Sequence, residues 1–204
     1  MRCGAIILCG GKSSRMGQDK ATLPFGPECM LQRVVRLISE VIPAANIVVV
    51  AAAEQTLPPL PPGIRVTHDE HQDRGPLEGL AAGLRCLGGE VDAVYVTSCD
   101  VPLLVPAFVT QMFAELGDYE IAVPCDQERL HPLAAVYRCT VLPQIERLLH
   151  QDQLRVRLLF DAVCTRKVAT EELRTVDPTL STLLNLNHPE DYRAALETSG
   201  VRLS

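Results

Sequence analysis

The chain contains no tryptophan, and its 204 residues include only four tyrosines and four phenylalanines. It also lacks an excess of positive charge, since 19 Lys and Arg residues against 25 Asp and Glu residues give a formal net charge of -6. Proteins that bind nucleic acid use a basic surface and, for single strands, aromatic side chains on which bases stack. Nucleic acid is therefore the least favoured partner, and any anionic ligand must be held by local groups.

Long apolar segments are missing as well. No apolar run in the sequence approaches the roughly 18 residues that a membrane-spanning helix requires. The apolar run at residues 5–8 is followed by turn-forming residues instead of a cleavage site, which argues against a signal peptide. We therefore expect a cytoplasmic protein that has no membrane partner.

The eight cysteines include no C-x-x-C pair and have no closely spaced histidine pair beside them. Structural zinc sites depend on such spacings. A disulfide framework is typical of small secreted domains, not of a chain with this length and expected compartment. The sequence therefore predicts reduced thiols that serve as small buried apolar side chains.

Strand-like and helix-like segments alternate along the chain, which predicts one α/β domain over residues 1–204 with a mainly parallel sheet. The predicted strands are 5–8, 47–52, 64–67, 93–98, 120–123, 133–137 and 164–168. The predicted helices are 30–42, 76–87, 105–116, 141–150 and one that begins at Pro189. Four prolines and a glycine within residues 57–63 predict a loop inside the same domain.

A glycine-rich segment follows the first predicted strand. Gly10 and Gly11 are adjacent, and Lys12, Arg15 and Lys20 place three cations in the next nine residues. Glycines allow a tight turn whose backbone N–H groups converge on phosphate oxygens. The alternative is a plain glycine-rich turn with solvated lysines.

Two familiar phosphate-binding loops do not fit this segment. A Walker A loop would need a glycine at position 6, where Ile6 stands. A dinucleotide-binding loop needs G-x-G-x-x-G, and glycines at positions 10, 11 and 17 do not have that spacing. P-loop NTPases and NAD-dependent dehydrogenases are therefore excluded.

The run from Leu8 to Lys20, LCGGKSSRMGQDK, resembles the L-A-G-G-x-S-x-R-M-G-x-D-K signature of the MobA-type nucleotidyltransferases, with Cys9 in place of alanine. Within that family it is most similar to the molybdenum cofactor guanylyltransferases. The segments GPLEG at 75–79, CDVP at 99–102, RLHP at 129–132 and NLNHPED at 185–191 resemble further family motifs in family order. The resemblance implies a three-layer α/β sandwich with a Rossmann-like sheet.

The resemblance also implies roles for individual residues. Those that bind the nucleotide would be Leu8, Cys9, Gly10, Gly11, Lys20, Asp69 and Asp100. Lys20 and Arg15 would act on the triphosphate, although Arg15 could instead pair with Asp19. Asp100 follows a predicted parallel strand, where a carboxylate suits Mg²⁺, although it could also cap the turn that follows it.

On the acceptor side, the resemblance implies a second group of residues. This group comprises Gly75, Pro76, Leu77, Gly79, His131, Asn185 and Asn187. Asn187 could instead be the N-cap of the last helix, and His131 could be structural. One departure concerns base choice: the family often carries asparagine where Ala51 stands, so a nucleotide hydrogen bond is expected to be missing.

Together, these features predict transfer of GMP from GTP to the phosphate of molybdopterin-bound molybdenum, with Mg²⁺ as cofactor and pyrophosphate as product. The resemblance further implies transient contact with cofactor-synthesis and cofactor-insertion proteins. Two alternatives stay open. One is the same chemistry with CTP or with a related phosphorylated acceptor, and the other is a nucleotide-binding module without turnover.

Overall fold

A computed structural model describes residues 1–10, 19–69 and 74–200 of the chain. The strands are β1 Cys3–Leu8, β2 Pro24–Phe25, β3 Glu28–Cys29, β4 Ile47–Ala51, β5 Arg65–His68, β6 Ala93–Ser98, β7 Ile121–Asp126, β8 Arg129–Leu130, β9 Ala135–Arg138 and β10 Thr165–Ala169. The helices are α1 Met30–Ser39, α2 Pro76–Leu87, α3 Pro106–Leu116, α4 Leu142–His150, α5 Val156–Ala162, α6 Thr170–Leu173 and α7 Pro189–Ser199. None of these helices is long and apolar enough to cross a bilayer.

Within the described residues, one large sheet has the strand order β10-β7-β9-β6-β1-β4-β5, and β8 pairs with β7. Strand β1 lies between β6 and β4 and is parallel to both. Only β8 and β9 run antiparallel to their neighbours in this sheet. The predicted mainly parallel sheet is confirmed.

Both faces of the sheet are covered, which explains why its central strands are apolar throughout. Ile7 and Val49 point to one side, where they pack with helices α1 and α3. Ile6 and Val48 point to the other side, where they pack with α2, α4 and α5. The protein is thus a three-layer α/β sandwich, as the resemblance implied.

The main error in the sequence-based fold concerns residues 133–137, which were predicted as one strand. The structure has a 3-10 turn at Pro132–Ala134, and the strand begins only at Ala135. Proline has no backbone N–H for a ladder hydrogen bond, and Pro132 starts this turn. The Tyr137 hydroxyl donates to the Pro132 carbonyl at 2.8 Å and so holds the turn against the strand. Helix α1 also ends at Ser39, three residues before its predicted end.

A small hairpin and the last helix form a separate contact. Strands β2 and β3 pair outside the main sheet. The ring of Phe25 meets the ring of Tyr192 edge-on at 6.3 Å, and the Tyr192 hydroxyl donates to the Pro24 carbonyl. These contacts hold the start of α7 close to the segment that follows Lys20. All eight cysteines are free thiols, but the predicted burial holds for Cys9, Cys29 and Cys99 alone, and Cys164 is exposed.

Candidate active site

Parallel strands β1, β4, β5 and β6 end at the same edge of the sheet, and chemically useful residues follow several of them. Cys9 and Gly10 follow β1, Asp69 follows β5, and Asp100 comes two residues after the end of β6. Ligands of open α/β sheets bind at this carboxyl edge. The fold therefore brings together residues that the sequence keeps far apart.

Lys20 and Asp100, both expected to act on the nucleotide, are in direct contact. The Lys20 Nζ donates to Asp100 Oδ2 at 2.8 Å, and only 14% and 12% of the two side chains are exposed. Lys20 opens a short 3-10 turn, which is capped because Asp19 Oδ1 accepts from the Ala21 N–H at 3.0 Å. The cap fixes where the lysine side chain starts.

The other oxygen of Asp100 is held by two neutral donors. Asp100 Oδ1 accepts from Ser98 Oγ at 2.5 Å and from Asn185 Nδ2 at 3.0 Å. The backbone N–H of Leu186 also donates to the Asp100 carbonyl at 2.9 Å. Ser98 was missed from the sequence, although it is the last residue of β6 and comes two residues before the carboxylate.

Asn187 meets the same group of side chains. Its Oδ1 accepts from Lys20 Nζ at 2.8 Å. The N-cap of α7 is His188, whose backbone N–H donates to Asp191 Oδ2 at 2.9 Å. The alternative role of Asn187 as N-cap is therefore wrong, and the amide belongs to the Lys20–Asp100 pair.

Asp69 lies in a narrow space between two glycines. A Cβ atom at Gly10 would lie 3.0 Å from Asp69 Oδ2, and one at Gly79 would lie 3.2 Å from Oδ1. Oδ1 is buried, and no donor among residues 1–10, 19–69 and 74–200 reaches it. Burial, and secondly the charge of Glu78, raise the pKa of Asp69, while His68 acts in the opposite direction. A buried acceptor without a donor is costly unless a ligand supplies one.

The first turn of α2 forms the next wall. Gly75 has φ +73°, a left-handed conformation that side chains rarely adopt, and Pro76 opens the helix without needing a backbone donor. Gly79 lets the Asp69 carboxylate and the Leu8 side chain approach the helix. Leu77, also expected at the acceptor, has its side chain fully buried in the core, so only its backbone is available there.

His131 lies beside a cavity of about 140 Å³, which Asn185 also lines. Burial lowers the pKa of His131, the positive charge of Arg129 lowers it further, and Asp126 acts in the opposite direction. The imidazole is therefore held more firmly in its neutral form. Because Asn185 also donates to Asp100, the cavity and the Lys20–Asp100 pair are neighbours.

Gln55 is a second residue that sequence reasoning missed. Its Nε2 donates to both carboxylate oxygens of Asp19, at 2.8 and 3.0 Å, and to the Cys9 carbonyl at 3.3 Å. The Cys9 side chain is buried in the core beside Cys99, and a hydrogen bond with Cys99 together with burial raises the pKa of its thiol. The change from the family's alanine thus affects the core, while the Cys9 backbone faces the site.

Gly11, Lys12 and Arg15 lie outside the described residues.

A magnesium ion fits the remainder of the site. Across residues 1–10, 19–69 and 74–200, no group of three or more His, Cys, Asp or Glu side chains could enclose a metal. Magnesium commonly takes only one or two carboxylates, together with phosphate oxygens and water, and Asp100 Oδ2 has a second lone pair to offer.

Comparisons with known proteins find similar sequences over most of this chain. A family model described as the MobA-like NTP transferase domain matches residues 5–166. A protein of Pelotomaculum thermopropionicum named a probable molybdenum cofactor guanylyltransferase is 32% identical over 191 residues, which are 94% of this chain and 90% of the relative. A protein of the same name from Carboxydothermus hydrogenoformans is 33% identical over 201 residues, 96% of each chain.

The fold agrees with a solved structure. The crystal structure of molybdopterin-guanine dinucleotide biosynthesis protein A from Archaeoglobus fulgidus has a TM-score of 0.79 and 20% identity, with 98% of this chain and 99% of that chain covered. At that identity the likeness establishes the fold alone.

Proposed function

Since the chain belongs to the MobA-like NTP transferase family, we propose that it transfers GMP from GTP to the phosphate of molybdopterin-bound molybdenum, forming the guanine dinucleotide cofactor. The observation that carries the proposal is the contact of Lys20 with Asp100 and Asn187 at the carboxyl edge of the sheet. The full-length relatives named as guanylyltransferases support the choice of substrates.

The reaction is a single displacement at phosphorus. An oxygen of the acceptor phosphate forms a bond to the α-phosphorus of GTP, and the bond from that phosphorus to the bridging β-phosphate oxygen breaks. Pyrophosphate leaves with the electron pair of that bond. No covalent protein intermediate is needed, so the protein acts by alignment and by stabilising charge.

Lys20 carries the largest share of that stabilisation in our proposal. Its ammonium group is fixed by two acceptors, and a compact charge suits the triphosphate oxygens. Asp100 Oδ2 would hold Mg²⁺, which, when bound, neutralises phosphate charge. Ser98 and Asn185 keep the other carboxylate oxygen in place, so the carboxylate cannot rotate freely.

Asp69 would provide a hydrogen-bond acceptor for the nucleotide. Guanine presents N1–H and N2–H donors next to each other, which suits a carboxylate oxygen that receives no hydrogen bond from the described part of the chain. Gly10 and Gly79 leave room for the Asp69 carboxylate itself. We therefore place Leu8, Cys9, Gly10 and Asp69 around the nucleotide.

The acceptor would lie on the opposite side, between the Gly75–Pro76 turn and the cavity beside His131. The two asparagines connect this side to the reacting phosphates, because both contact the Lys20–Asp100 pair. We also propose a cytoplasmic enzyme that meets cofactor-synthesis and cofactor-insertion proteins transiently.

The test is pyrophosphate release in the presence of molybdenum-loaded molybdopterin and Mg²⁺, with GTP or CTP as donor. We expect GTP to be the better substrate, and Lys20→Ala and Asp100→Ala each to lower turnover by about 10²–10³-fold, the scale of one lost electrostatic contact. Lys167→Ala and Asp118→Ala are matched controls, since both residues are exposed and neither is among the assigned site residues.

Each outcome has a defined meaning. Far better turnover with CTP would overturn the choice of GTP but keep the chemistry. Binding of GTP without pyrophosphate release would favour the nucleotide-binding module. Near-normal activity of either alanine variant would remove that residue from the mechanism.

A further inference from the structure

We propose that Gln55 is a positioning residue of the nucleotide site, which ties the strand end at Cys9 to Asp19, the residue before Lys20. The inference rests on the proposed function, because the two segments that it joins are those assigned to the nucleotide. Gln55 has no counterpart among the motifs that revealed the family. Its role follows from the contacts of a single carboxamide.

The carboxamide of Gln55 uses both of its ends. The Oε1 atom accepts from the Ala52 N–H at 3.2 Å. In addition, the backbone N–H of Gln55 donates to the Ala52 carbonyl at 3.0 Å. Its Nε2 donates to the Asp19 carboxylate at 2.8 and 3.0 Å and to the Cys9 carbonyl at 3.3 Å. The end of β1, the residue before Lys20 and the loop after β4 therefore meet at one side chain.

The donor and acceptor pattern fixes the orientation of the amide. An N–H group must face an oxygen, and the carboxylate and the carbonyl must face N–H groups. The two N–H bonds of Nε2 therefore serve Asp19 and Cys9, with the two oxygens of Asp19 sharing one of them. Only a side chain with a donor and an acceptor on the same short stem meets these demands.

Gln55 reaches the catalytic lysine through Asp19. Asp19 Oδ1, which receives the Gln55 amide, also caps the 3-10 turn by accepting from the Ala21 N–H. Lys20 opens that turn, and its Nζ is aimed at Asp100. If the Asp19 carboxylate moved, the cap of the turn would change and the backbone of Lys20 would shift with it.

Gln55 also acts on the nucleotide-facing backbone. The Cys9 N–H donates to the Val50 carbonyl at 2.8 Å, as a continuation of the β1–β4 ladder, and the Cys9 carbonyl receives the amide of Gln55. The end of β4 has no polar side chain of its own, since residues 51–53 are all alanine. The glutamine four residues beyond the strand provides the hydrogen bonds that this edge would otherwise lack.

The substitution Gln55→Glu separates positioning from simple structural support. The introduced carboxyl keeps an acceptor for the Ala52 N–H but, when ionised, repels Asp19 and offers no donor to either partner. Two carboxylates that share a site raise the pKa of one of them. On protonation, the introduced group regains an O–H donor for Asp19, so activity should recover as the pH falls.

The experiment measures kcat and KM for GTP, together with equilibrium binding of GTP by calorimetry, from pH 8 to pH 5.5. For Gln55→Glu at pH 8 we expect kcat/KM and GTP affinity to fall about tenfold to a hundredfold, the scale of a misplacement near 1 Å. The deficit relative to wild type should shrink steadily towards pH 5.5. Gln55→Leu, which cannot titrate, should keep its deficit at every pH.

Gln32→Glu is the matched control. Gln32 also bridges two backbone groups, with its Oε1 accepting from the Cys29 N–H at 3.0 Å and its Nε2 donating to the Pro59 carbonyl at 2.9 Å. Within the described residues, the hydrogen bonds of its side chain reach no residue of the site. This variant should lose thermal stability while its kinetic constants and its pH profile follow wild type.

The outcomes are distinct. If Gln55→Glu had the pH profile and GTP affinity of wild type, the positioning role would be overturned. The same would hold if kcat/KM fell in both Gln55→Glu and Gln32→Glu in proportion to their losses in melting temperature. Failure of wild type to turn over GTP would overturn the proposed function instead. In that case the pH-dependent binding of GTP would still decide for or against Gln55.

Discussion

Replacing Asp69 with asparagine should make the protein more stable and, at the same time, a poorer nucleotide binder. Among the described residues no donor reaches the buried Asp69 Oδ1, and the neighbouring charge of Glu78 adds to the cost of ionisation. A buried polar group without a partner costs about 1–3 kcal/mol, and a charged group costs more than a neutral one. Asparagine keeps the polar group but removes the charge. Since the side chain is only half-buried, we take the lower end, about 1 kcal/mol, as the gain from removing its charge.

The pH dependence follows from the raised pKa of Asp69. A carboxyl whose folded-state pKa lies above its unfolded value destabilises the fold at any pH at which it is ionised, and protonation relieves that cost. The advantage of Asp69→Asn should therefore be complete at neutral pH. It should shrink as the pH falls through the raised folded-state pKa towards the ordinary value of about 3.9.

Thermal unfolding with and without GTP measures both effects. For a chain of this size, 1 kcal/mol corresponds to a shift in Tm of about 2–4 °C. The variant should melt higher than wild type at pH 7.5 without nucleotide, and it should gain less from added GTP because ligand stabilisation follows affinity. Asp161→Asn, at an exposed aspartate, is the control. A lower Tm at pH 7.5, or an unchanged gain from GTP, would refute the reasoning.

Two further predictions concern residues around this site. Ser98→Ala removes the 2.5 Å hydrogen bond to Asp100, so the Mg²⁺ concentration for half-maximal pyrophosphate release should rise by about tenfold for a bond that contributes about 1.5 kcal/mol; an unchanged Mg²⁺ titration would mean that Asn185 alone holds the carboxylate. In His131→Gln, the free energy of unfolding should lose the part of its pH dependence that comes from protonation of His131. The lowered pKa of His131 means that the unfolded chain binds the proton more readily, so wild type loses stability as the pH falls below about 6.5. Denaturant unfolding at pH 7.5 and 5.5 measures the difference, and equal losses in the two proteins would contradict the assignment.

The sequence predicts the central layers of this fold well, for a physical reason. Strands buried on both faces are short continuous apolar runs, and residues 93–98 match strand β6 from end to end. Helix α2 is predicted with its observed bounds because Pro76 marks its start and Gly88 follows its end. The hairpin β2–β3 and helix α5 have too few residues for a periodic signal, and neither was predicted.

The contacts within the candidate site could likewise be predicted only in part from the sequence. Because parallel strands end at one edge, the meeting of the Lys20 segment with Asp100 could be expected. The contact of Asn187 with Lys20 spans 167 positions and depends on how α7 packs on the β2–β3 hairpin. Gln55 gave no local signal at all, since a single polar residue in a loop is ordinary until its three partners are known.

The contact between Lys20 and Asn187 also has a consequence for the order in which this centre is built. During synthesis, strands β1, β4, β5 and β6 leave the ribosome well before residues 185–187. Until those residues arrive, Asp100 lacks the amide of Asn185 and Lys20 lacks one of its two acceptors. The carboxyl edge of the sheet in a growing chain can therefore form while Lys20 and Asp100 are still incompletely held, and both side chains gain their full set of partners only after residues 185–187 have emerged.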